Sequence, residues 1–333
     1  GALPAGVALR ELGTFKLKDL GRPETISQLD IEGLPTAFPA LRTLDTPTNL
    51  PVQLTSFIGR TREIGELVAL IRDGSAHLVT LTGPGGTGKT RLSLAVAAAL
   101  IGDFAEGVYF IELDTIDDAT LVAPTIASAL GLKEVPGQPM ETTVREHLAG
   151  RRVLLVLDNL EQLIAAWPRI AELIAAAPKL VVLASSREVL HLKGEHEYPV
   201  QPLGYPGGAE GGPGGVGLEG LSAYDAVRLF IERAQAVRPG FAASNENAPA
   251  IAEICSRLDG LPLAIELAAA RVKLFEPEAI LARLSKSLGF LTGGARDLPA
   301  RQQTLRGAIA WSHDLLGEPE RALFRRLAAF VGG

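Results

Sequence analysis

Apolar residues follow two different patterns along the chain, and the change between them divides it into domains. Between residues 55 and 203, short apolar runs alternate with segments of helical periodicity, and such runs are typical of strands covered on both faces of a parallel sheet. The predicted strands span residues 77–82, 107–113, 153–157, 179–184 and 196–202. The predicted helices span residues 91–101, 117–130, 142–148 and 161–177, the last bent or restarted at Pro168. This alternation predicts an α/β fold with a doubly wound, mainly parallel sheet.

After residue 221 the pattern is helical throughout. The predicted helices span residues 222–237, 248–258, 263–274, 278–284, 304–315 and 318–330. Ser222 is the predicted N-cap of the first, and Pro262 lies near a helix start, where proline is tolerated. We divide this part into a helical domain, 221–295, and the start of a further domain, 296–333. Nine glycines between residues 204 and 220 predict a flexible linker before it.

The first 45 residues form a short segment of mixed character. Alternation of apolar and polar residues around Phe15, and a second apolar stretch at 25–29, predict a hairpin. Roughly forty residues are too few to bury a core alone. Recurrent prolines then predict an extended linker, which we bound at 46–54. The α/β domain follows from residue 55, with a helix start near Ser56 and helical spacing as far as Ile71.

The segment between the first strand and the first helix of the α/β domain fits the phosphate-binding P-loop pattern. It reads Gly83, Pro84, Gly85, Gly86, Thr87, Gly88, Lys89 and Thr90. Glycines let backbone N–H groups turn toward phosphate oxygens, and the following helix directs its positive N-terminus to the same charge. Lys89 is predicted to reach the β- and γ-phosphates, and the Thr90 hydroxyl to bind Mg²⁺. A chance match by a glycine-rich turn is the alternative, and the strand and helix on either side disfavour it.

Two later strands of the α/β domain end in charged residues. Asp158 ends the run 153–157, 69 residues after Lys89. An acidic residue at such a position helps to bind Mg²⁺ in P-loop proteins, so Asp158 is the second predicted metal ligand. Arg187 follows the next strand, where a guanidinium can contact the γ-phosphate and stabilise transition-state charge. The alternative for Arg187 is a surface salt bridge with Glu188.

Composition narrows the class of protein further. A net charge of −6 and a pI near 5.5 argue against non-specific binding of nucleic acid. The single cysteine, Cys255, suits a reducing compartment, and its helical setting predicts a buried structural thiol. No run approaches about 20 apolar residues, so we expect no membrane span, and the start lacks a signal-type segment, so we expect a cytoplasmic location. Because the first residue is not Met, we expect a piece of a longer protein.

Four motifs in a fixed order carry a family resemblance. They are the P-loop, Leu-Leu-Val-Leu-Asp-Asn-Leu-Glu at 154–161, Ala-Ser-Ser-Arg-Glu at 184–188 and Leu-Asp-Gly-Leu-Pro-Leu-Ala at 258–264. Over residues 55–330 the chain resembles the STAND class of signal-transduction ATPases, specifically the NB-ARC group. That group includes plant disease-resistance proteins, apoptotic protease-activating factors and bacterial LuxR-type regulators. The Gly-Leu-Pro-Leu run is the most discriminating of the four motifs.

The resemblance implies a site for ATP or ADP with Mg²⁺. The nucleotide-binding residues implied outside the P-loop are Phe57, Ile58, Gly59 and Arg60 along the adenine, Arg91 after the P-loop, and Pro262 as a cover from the helical domain. Arg187 is implied as the γ-phosphate sensor, and residues 301–305, 311–312 and 323–327 resemble the entry to a winged-helix domain. The resemblance also implies self-association through the NTPase domain in the ATP state. DNA contact is implied only through a domain outside this chain.

Two positions depart from the family pattern. Many hydrolysing relatives carry a second acid after the Walker B aspartate, where this chain has Asn159, and an amide cannot act as a general base. Glu161 is the candidate substitute, so the candidate catalytic set is Lys89, Asp158, Arg187 and Glu161. The alternative for Glu161 is a solvated glutamate at a helix start, and slow hydrolysis is therefore expected. The phosphate-sensing histidine of the winged-helix domain is expected beyond residue 333, with His313 on a helix surface.

Residues 1–45 resemble the C-terminal tail of class III nucleotide cyclases, through a Leu-Gly-x-x-x-Leu-Lys-Asp-Leu run at 12–20 followed by a Gln-Leu strand. No metal-binding carboxylate pair of a cyclase can be assigned here, so cyclase activity is not implied. The expected function is a slow ATPase switch that regulates the output, in our interpretation transcription, of a larger multidomain protein. One alternative is a non-hydrolysing, ADP-bound scaffold for oligomerisation. Another is a small-molecule kinase, which the lack of arginine in residues 204–220 disfavours.

Overall fold

The structure is a computed structural model that describes residues 7–16, 23–31, 46–207, 218–284, 291, 303–314 and 316–327. The chain divides into two compact units. The first unit comprises Gly1–Thr55, Arg60–Leu81 and Thr90–Tyr198, and the second comprises Ser56–Gly59, Thr82–Lys89 and Pro199–Gly333. Parts of the predicted cyclase-like tail (1–6, 17–22 and 32–45), of the glycine-rich linker (208–217), of the winged-helix entry (301–302) and of the last two predicted helices (315 and 328–330) lie outside the described residues.

A five-stranded sheet forms the centre of the α/β domain. Its strands are β3 (Leu78–Thr82), β4 (Val108–Glu112), β5 (Leu154–Asp158), β6 (Val181–Ser185) and β7 (Glu195–Pro199). They lie in the order β4-β5-β6-β3-β7, and the pairs β4–β5, β5–β6 and β3–β6 are parallel. Every residue of β3, β5 and β6 is buried, as the continuous apolar runs predicted. The doubly wound, mainly parallel sheet is therefore confirmed, with β6 between the P-loop strand and the Asp158 strand.

Helices of the first unit cover the sheet. They are α1 (Thr61–Arg72), α2 (Lys89–Ala99), α3 (Val122–Ala129), α4 (Met140–Leu148) and α5 (Trp167–Ala176). The stretch predicted over 161–177 restarts as α5 beside Pro168, as predicted, but its first part is not α-helical. Two short 3₁₀ turns, Leu160–Gln162 and Ile164–Ala166, precede α5, and Pro168 occupies the first turn of α5. Proline is tolerated there because the first helical N–H groups have no partner within the helix.

Two other predicted helix starts in the chain were also misplaced. The helix expected near Ser56 begins only at Thr61, after Arg60 in the left-handed conformation. The helix expected from residue 117 begins as a 3₁₀ turn at Ala119, where the Asp118 side chain accepts a hydrogen bond from the N–H of Thr120 at 2.8 Å. A side-chain cap thus marks the start of the second of these helical segments, whereas Arg60, the N-cap residue of α1, makes no side-chain cap hydrogen bond.

Helices also form the larger part of the second unit. They are α6 (Leu218–Leu221), α7 (Asp225–Val237), α8 (Ala248–Arg257), α9 (Pro262–Ala269), α10 (Pro277–Leu284), α11 (Leu305–Asp314) and α12 (Glu318–Leu327). Ser222 is not the N-cap of α7, which is Tyr224. The N–H of Ala226 in the first turn is instead bonded to the carbonyl of Gly204 at 3.2 Å, so a serine cap is not needed there.

The core of the second unit is apolar and encloses the single cysteine. Phe230, Ile251, Ile265 and Cys255 are all completely buried in it. Burial raises the pKa of the Cys255 thiol, because the thiolate would lose its hydration. Cys255 is therefore a buried, protonated thiol, in agreement with the predicted structural role.

An antiparallel hairpin precedes these elements. Its strands are β1 (Val7–Lys16) and β2 (Pro23–Ile31), with an irregularity in register between Glu11 and Gly13. The predicted hairpin is confirmed, whereas the resemblance to a cyclase tail stays a prediction. None of the helices in the described parts of the chain is long and apolar enough to cross a bilayer.

Candidate functional site

The P-loop connects β3 to α2, as its sequence predicted. Gly85 and Gly86 form its turn, and Gly83, Gly86 and Gly88 have φ of 138°, 86° and 91°. L-residues with side chains rarely adopt such angles, so glycine is needed at these positions. At Gly83 a Cβ would also lie only 2.9 Å from the carbonyl oxygen of Val200. The backbone conformation of this loop therefore depends on its glycines.

Lys89 turns back onto the loop that precedes it. Its Nζ donates hydrogen bonds to the carbonyls of Gly83 at 2.7 Å and Pro84 at 3.1 Å, and 9% of the residue is exposed. Thr87 Oγ1 donates to the same Pro84 carbonyl at 3.0 Å. A cationic group enclosed by the loop is well placed to neutralise a phosphate that the loop binds.

The N-terminus of α9 packs on the same loop. The N–H of Leu263 donates to the carbonyl of Gly86 at 3.2 Å, and a Cβ at Gly86 would lie 3.1 Å from the Leu263 Cβ. Pro262 Cγ lies 4.0 Å from where a Cβ on Gly88 would be. Pro262 is therefore a neighbour of the phosphate-binding segment. Its predicted contact with the base or sugar stays a prediction.

A tight turn places α9 in this position. Gly260 has φ of 65°, and its carbonyl accepts a hydrogen bond from the N–H of Leu203 at 3.0 Å. A Cβ at Gly260 would overlap the Leu203 carbonyl oxygen and lie 2.8 Å from Tyr205 Cδ1. The glycine of the Gly-Leu-Pro-Leu run is thus required both for its backbone angle and for close packing.

The segment resembling an adenine-binding element is held by α7 and α9. Arg233 on α7 donates from Nη2 to the Ser56 carbonyl at 3.0 Å, from Nε to Glu266 at 2.9 Å and from Nη1 to Glu232 at 2.8 Å. The side chain of Arg233 is only 12% exposed. A buried arginine with both carboxylate and carbonyl partners fixes the path of the backbone at residue 56.

Further contacts fix the next residues of that segment. Ile58 packs against the core of the second unit, and Gly59 has φ of 69°. A Cβ at Gly59 would overlap the carboxylate of Asp225, the first residue of α7. In the first unit, the Arg60 side chain is 5% exposed and pairs with Glu63 at 3.1 Å.

Two other predicted nucleotide-binding residues have simpler surroundings. Phe57 is half-buried, and Arg91 donates from Nη2 to the carbonyl and hydroxyl oxygens of Thr55 at 3.0 and 3.1 Å. The contact ties Arg91 to the first residue after the predicted linker. A nucleotide role for either residue stays a prediction.

The two predicted metal ligands are in contact. Thr90 Oγ1 lies 2.8 and 3.0 Å from the two carboxylate oxygens of Asp158, which is 3% exposed. Ser185 Oγ donates a short hydrogen bond to Asp158 Oδ1, and Asn159 Nδ2 donates to Oδ2 at 3.0 Å. The Asn159 N–H in turn donates to Ser185 Oγ at 3.0 Å. The tips of β5 and β6 therefore share one polar network around Asp158.

This network suits a hard cation. Hydroxyl and carboxylate oxygens are ligands that Mg²⁺ takes, usually with water and substrate phosphates completing the shell. Within the described residues, no group of three or more His, Cys, Asp or Glu side chains could hold a metal ion. A cation at Thr90 and Asp158 would accordingly take most of its ligands from phosphate and water.

Arg187 and Glu161 form a buried ion pair. Arg187 Nε lies 3.1 Å from Glu161 Oε1, and the two side chains are 16% and 5% exposed. The solvated glutamate considered for Glu161 is therefore wrong, since the 3₁₀ turn Leu160–Gln162 directs the side chain inward. The surface salt bridge considered for Arg187 is also replaced by this enclosed one. Asn159, with φ of 65°, makes the turn that brings Glu161 back to the strand tips.

Sequence reasoning missed three contributors, Ser185, Asp225 and Arg233. Ser185 has a detectable signal, because a hydroxyl ends an apolar run next to the predicted acidic strand. Asp225 and Arg233 have none, because their contacts join residues more than 150 positions apart in the chain.

Comparison with known proteins agrees with this geometry. A protein-family model described as AAA domain matches residues 72–190. Rv0894 of Mycobacterium tuberculosis, a protein described as uncharacterized, is 40% identical over 281 residues, which are 84% of this chain and 67% of the relative. The chain belongs to the same family as Rv0894. It contains an AAA-type P-loop ATPase domain.

The chain is also similar to a much longer relative and to a solved structure. Rv0890c of Mycobacterium tuberculosis, whose name describes an HTH-type transcriptional regulator, is 44% identical over 258 residues, or 77% of this chain. The chain spans only 27% of that relative. A chain from the structure of Drosophila ORC bound to DNA superposes with a TM-score of 0.50 at 17% identity, covering 73% of this chain and 70% of that one. This similarity shows a shared P-loop NTPase fold.

Proposed function

We propose that the chain binds ATP and ADP with Mg²⁺ and works as a nucleotide-controlled switch of the STAND class, NB-ARC group. The observation that carries the proposal is the hydrogen bond from Thr90 to Asp158, which joins the two predicted metal ligands at the end of the P-loop. The AAA-type domain and the retained Gly-Leu-Pro-Leu turn support it.

Each part of the site has a separate role in nucleotide binding. The P-loop N–H groups and Lys89 would bind the phosphates, and Thr90 and Asp158 would hold Mg²⁺. When bound, Mg²⁺ supplies positive charge that offsets the charge of the phosphate oxygens. The segment Phe57–Arg60 and Pro262 would contact the base and sugar side.

Hydrolysis is expected to be slow. The position after Asp158 is occupied by an amide that donates to Asp158 itself, and an amide cannot take a proton from water. A site that binds tightly and hydrolyses slowly keeps its nucleotide long enough for the bound state to act as a signal. ADP would stabilise a closed state, and exchange for Mg-ATP an open one that self-associates or releases an output module. A switch needs such differential affinity for its two states.

The output belongs to a larger protein in this proposal. Rv0890c is named as a transcriptional regulator and is far longer than this chain. We therefore propose that the switch controls transcription, with DNA bound by a domain outside these residues.

The second candidate is a scaffold that holds ADP permanently. The same hydrogen bond from Asn159 to Asp158 favours it, because the usual second acid is missing. Single-turnover assays separate the two functions: the switch releases phosphate from bound ATP, and the scaffold does not. The small-molecule kinase has no comparable support.

The test is to denature the purified chain, identify any released nucleotide by chromatography, and then measure ATP and ADP binding by calorimetry. Lys89→Ala should weaken binding at least about tenfold, since hydrogen bonds to charged groups contribute roughly 1.5–3 kcal/mol. Lys193→Ala, which removes an exposed lysine, is the matched control and should change nothing. Equal ATP affinity of the Lys89→Ala and Lys193→Ala proteins would refute the assignment of the site.

A further inference from the structure

The ion pair between Glu161 and Arg187 joins the ends of two neighbouring strands. Glu161 follows β5, and Arg187 follows β6, 26 positions later in the chain. Both side chains are largely buried, in contrast to exposed pairs such as Glu141 with Arg169, which are 48% and 46% exposed. Exposed pairs contribute little, whereas breaking a buried pair leaves an uncompensated charge in the interior. The Glu161 and Arg187 side chains are therefore held in one arrangement.

The contact is made by the Nε–H of Arg187. This group is the donor nearest the side-chain stem, so a carboxylate bound there fixes the plane of the guanidinium. The two terminal nitrogens lie further out along the same plane. Because Nη2 has under 1 Å² of accessible surface, a phosphate oxygen would reach the guanidinium through Nη1. A carboxylate bound at Nε thus fixes the orientation of the arginine side chain.

The remaining oxygen of Glu161 is enclosed. Glu161 Oε2 has under 1 Å² of accessible surface and no hydrogen-bond partner among the residues that the structure describes. A general base must reach the attacking water, directly or through one other water. In the arrangement that the structure shows, one oxygen of Glu161 is bound by arginine and the other is enclosed, so the carboxylate does not meet this condition.

We propose that Glu161 is a positioning residue for Arg187 and not the general base. This proposal rests on the proposed function, in which Arg187 distinguishes ATP from ADP by the γ-phosphate. Glu161 aims the guanidinium, so the pair acts as one unit that sets the preference for ATP. Its effect is expected on ATP binding and not on ADP binding, because ADP lacks the phosphate that Arg187 would contact.

A double-mutant cycle tests the proposal. The full 333-residue chain is prepared as wild type, Glu161→Gln, Arg187→Gln and the double variant, with Glu141→Gln as the control at an exposed pair. ATP and ADP affinities are measured by displacement of a fluorescent ADP analogue, and phosphate release is measured in single turnover. Circular-dichroism melts check folding, and the double variant replaces the buried ion pair by two neutral amides if a single variant folds poorly.

The proposal predicts that both single variants and the double variant lower the ATP-to-ADP affinity ratio by the same factor, about tenfold, as expected when two residues act as one unit. ADP affinity and the Glu141→Gln protein should match wild type. The proposal is wrong if Glu161→Gln stops phosphate release without changing the ATP-to-ADP affinity ratio, whether it is introduced into the wild type or into the Arg187→Gln protein. Glu161 would then act as a base. If the wild type binds nucleotide and the variants have the same ATP-to-ADP affinity ratio as the wild type, this inference is overturned and the proposed function is not. A wild type that binds no nucleotide would overturn the proposed function as well.

Discussion

Gly260→Ala is expected to destabilise the second unit through two separable effects. The residue has φ of 65°, and its Cβ position overlaps the Leu203 carbonyl oxygen. The left-handed conformation costs an L-residue roughly 1–2 kcal/mol, and forcing extra atoms into a packed site typically costs about 1–3 kcal/mol. The expected loss of stability is thus about 2–5 kcal/mol. Because Gly260 starts the turn before α9, the contact of Leu263 with Gly86 should weaken too.

Cys255 provides the assay for this prediction. It is the single cysteine and is completely buried in the core of the same unit, so a thiol reagent reaches it only when that core opens. A loss of about 2–5 kcal/mol corresponds to labelling roughly 30- to 5,000-fold faster, at 1.36 kcal/mol per factor of ten. Gly207→Ala is the matched control, since Gly207 has φ of 85° but no atom of the residues that the structure describes lies within 4 Å of its Cβ position.

The control separates the backbone effect from the overlap. Gly207→Ala should show only the conformational part, about 1–2 kcal/mol. If Gly260→Ala is labelled no faster than Gly207→Ala, the overlap with Leu203 does not exist in solution, and the account of this turn is wrong.

Two further predictions concern the nucleotide site. Ser185→Ala removes a donor to Asp158 and should raise the Mg²⁺ concentration needed for half-maximal ATP binding by about tenfold. Ser185→Thr keeps the hydroxyl and should keep the wild-type value. An unchanged Mg²⁺ requirement of Ser185→Ala, measured by titration with Mg²⁺, would refute a positioning role for Ser185. Arg233→Lys keeps the charge but cannot make the three hydrogen bonds by which Arg233 holds Ser56 to Glu232 and Glu266. ADP affinity should therefore fall about tenfold, while pyrophosphate affinity stays the same. Equal losses of affinity for both ligands would show that Arg233 does not act through the adenine side.

The central strands and the P-loop were predictable because their signals are local. A continuous apolar run needs no knowledge of the partner strand, and β3, β5 and β6 lie within one or two residues of their predicted bounds. The P-loop pattern likewise fixes both the glycine positions and the strand and helix beside them. The contact of Thr90 with Asp158 followed from pairing that pattern with an acidic strand end.

The surroundings of Glu161 were not predictable from local sequence. A helical pattern from residue 161 suggested a solvated helix start, but Asn159 reverses the backbone and Pro168 delays the helix to Trp167. The ion pair with Arg187 then depends on β6 lying next to β5, which is a property of the sheet order. The start of α7 was not predictable from local sequence either, because the carbonyl of Gly204, 22 positions before Ala226, accepts the hydrogen bond in place of the expected Ser222 cap.

The sheet order also governs how the chain can fold as it leaves the ribosome. β3 has β6 and β7 as its neighbours, and β6 begins about 100 residues after β3 ends, which is roughly 5–20 s of synthesis at about 5–20 residues per second. During that interval β3, whose five residues are all buried in the folded domain, and the phosphate-binding loop attached to it have no neighbouring strand to pair with. Nucleotide bound at the proposed site would therefore not assist the earliest folding, and chain fragments that end before Val181 lack β6, which lies between β5 and β3 and carries Ser185.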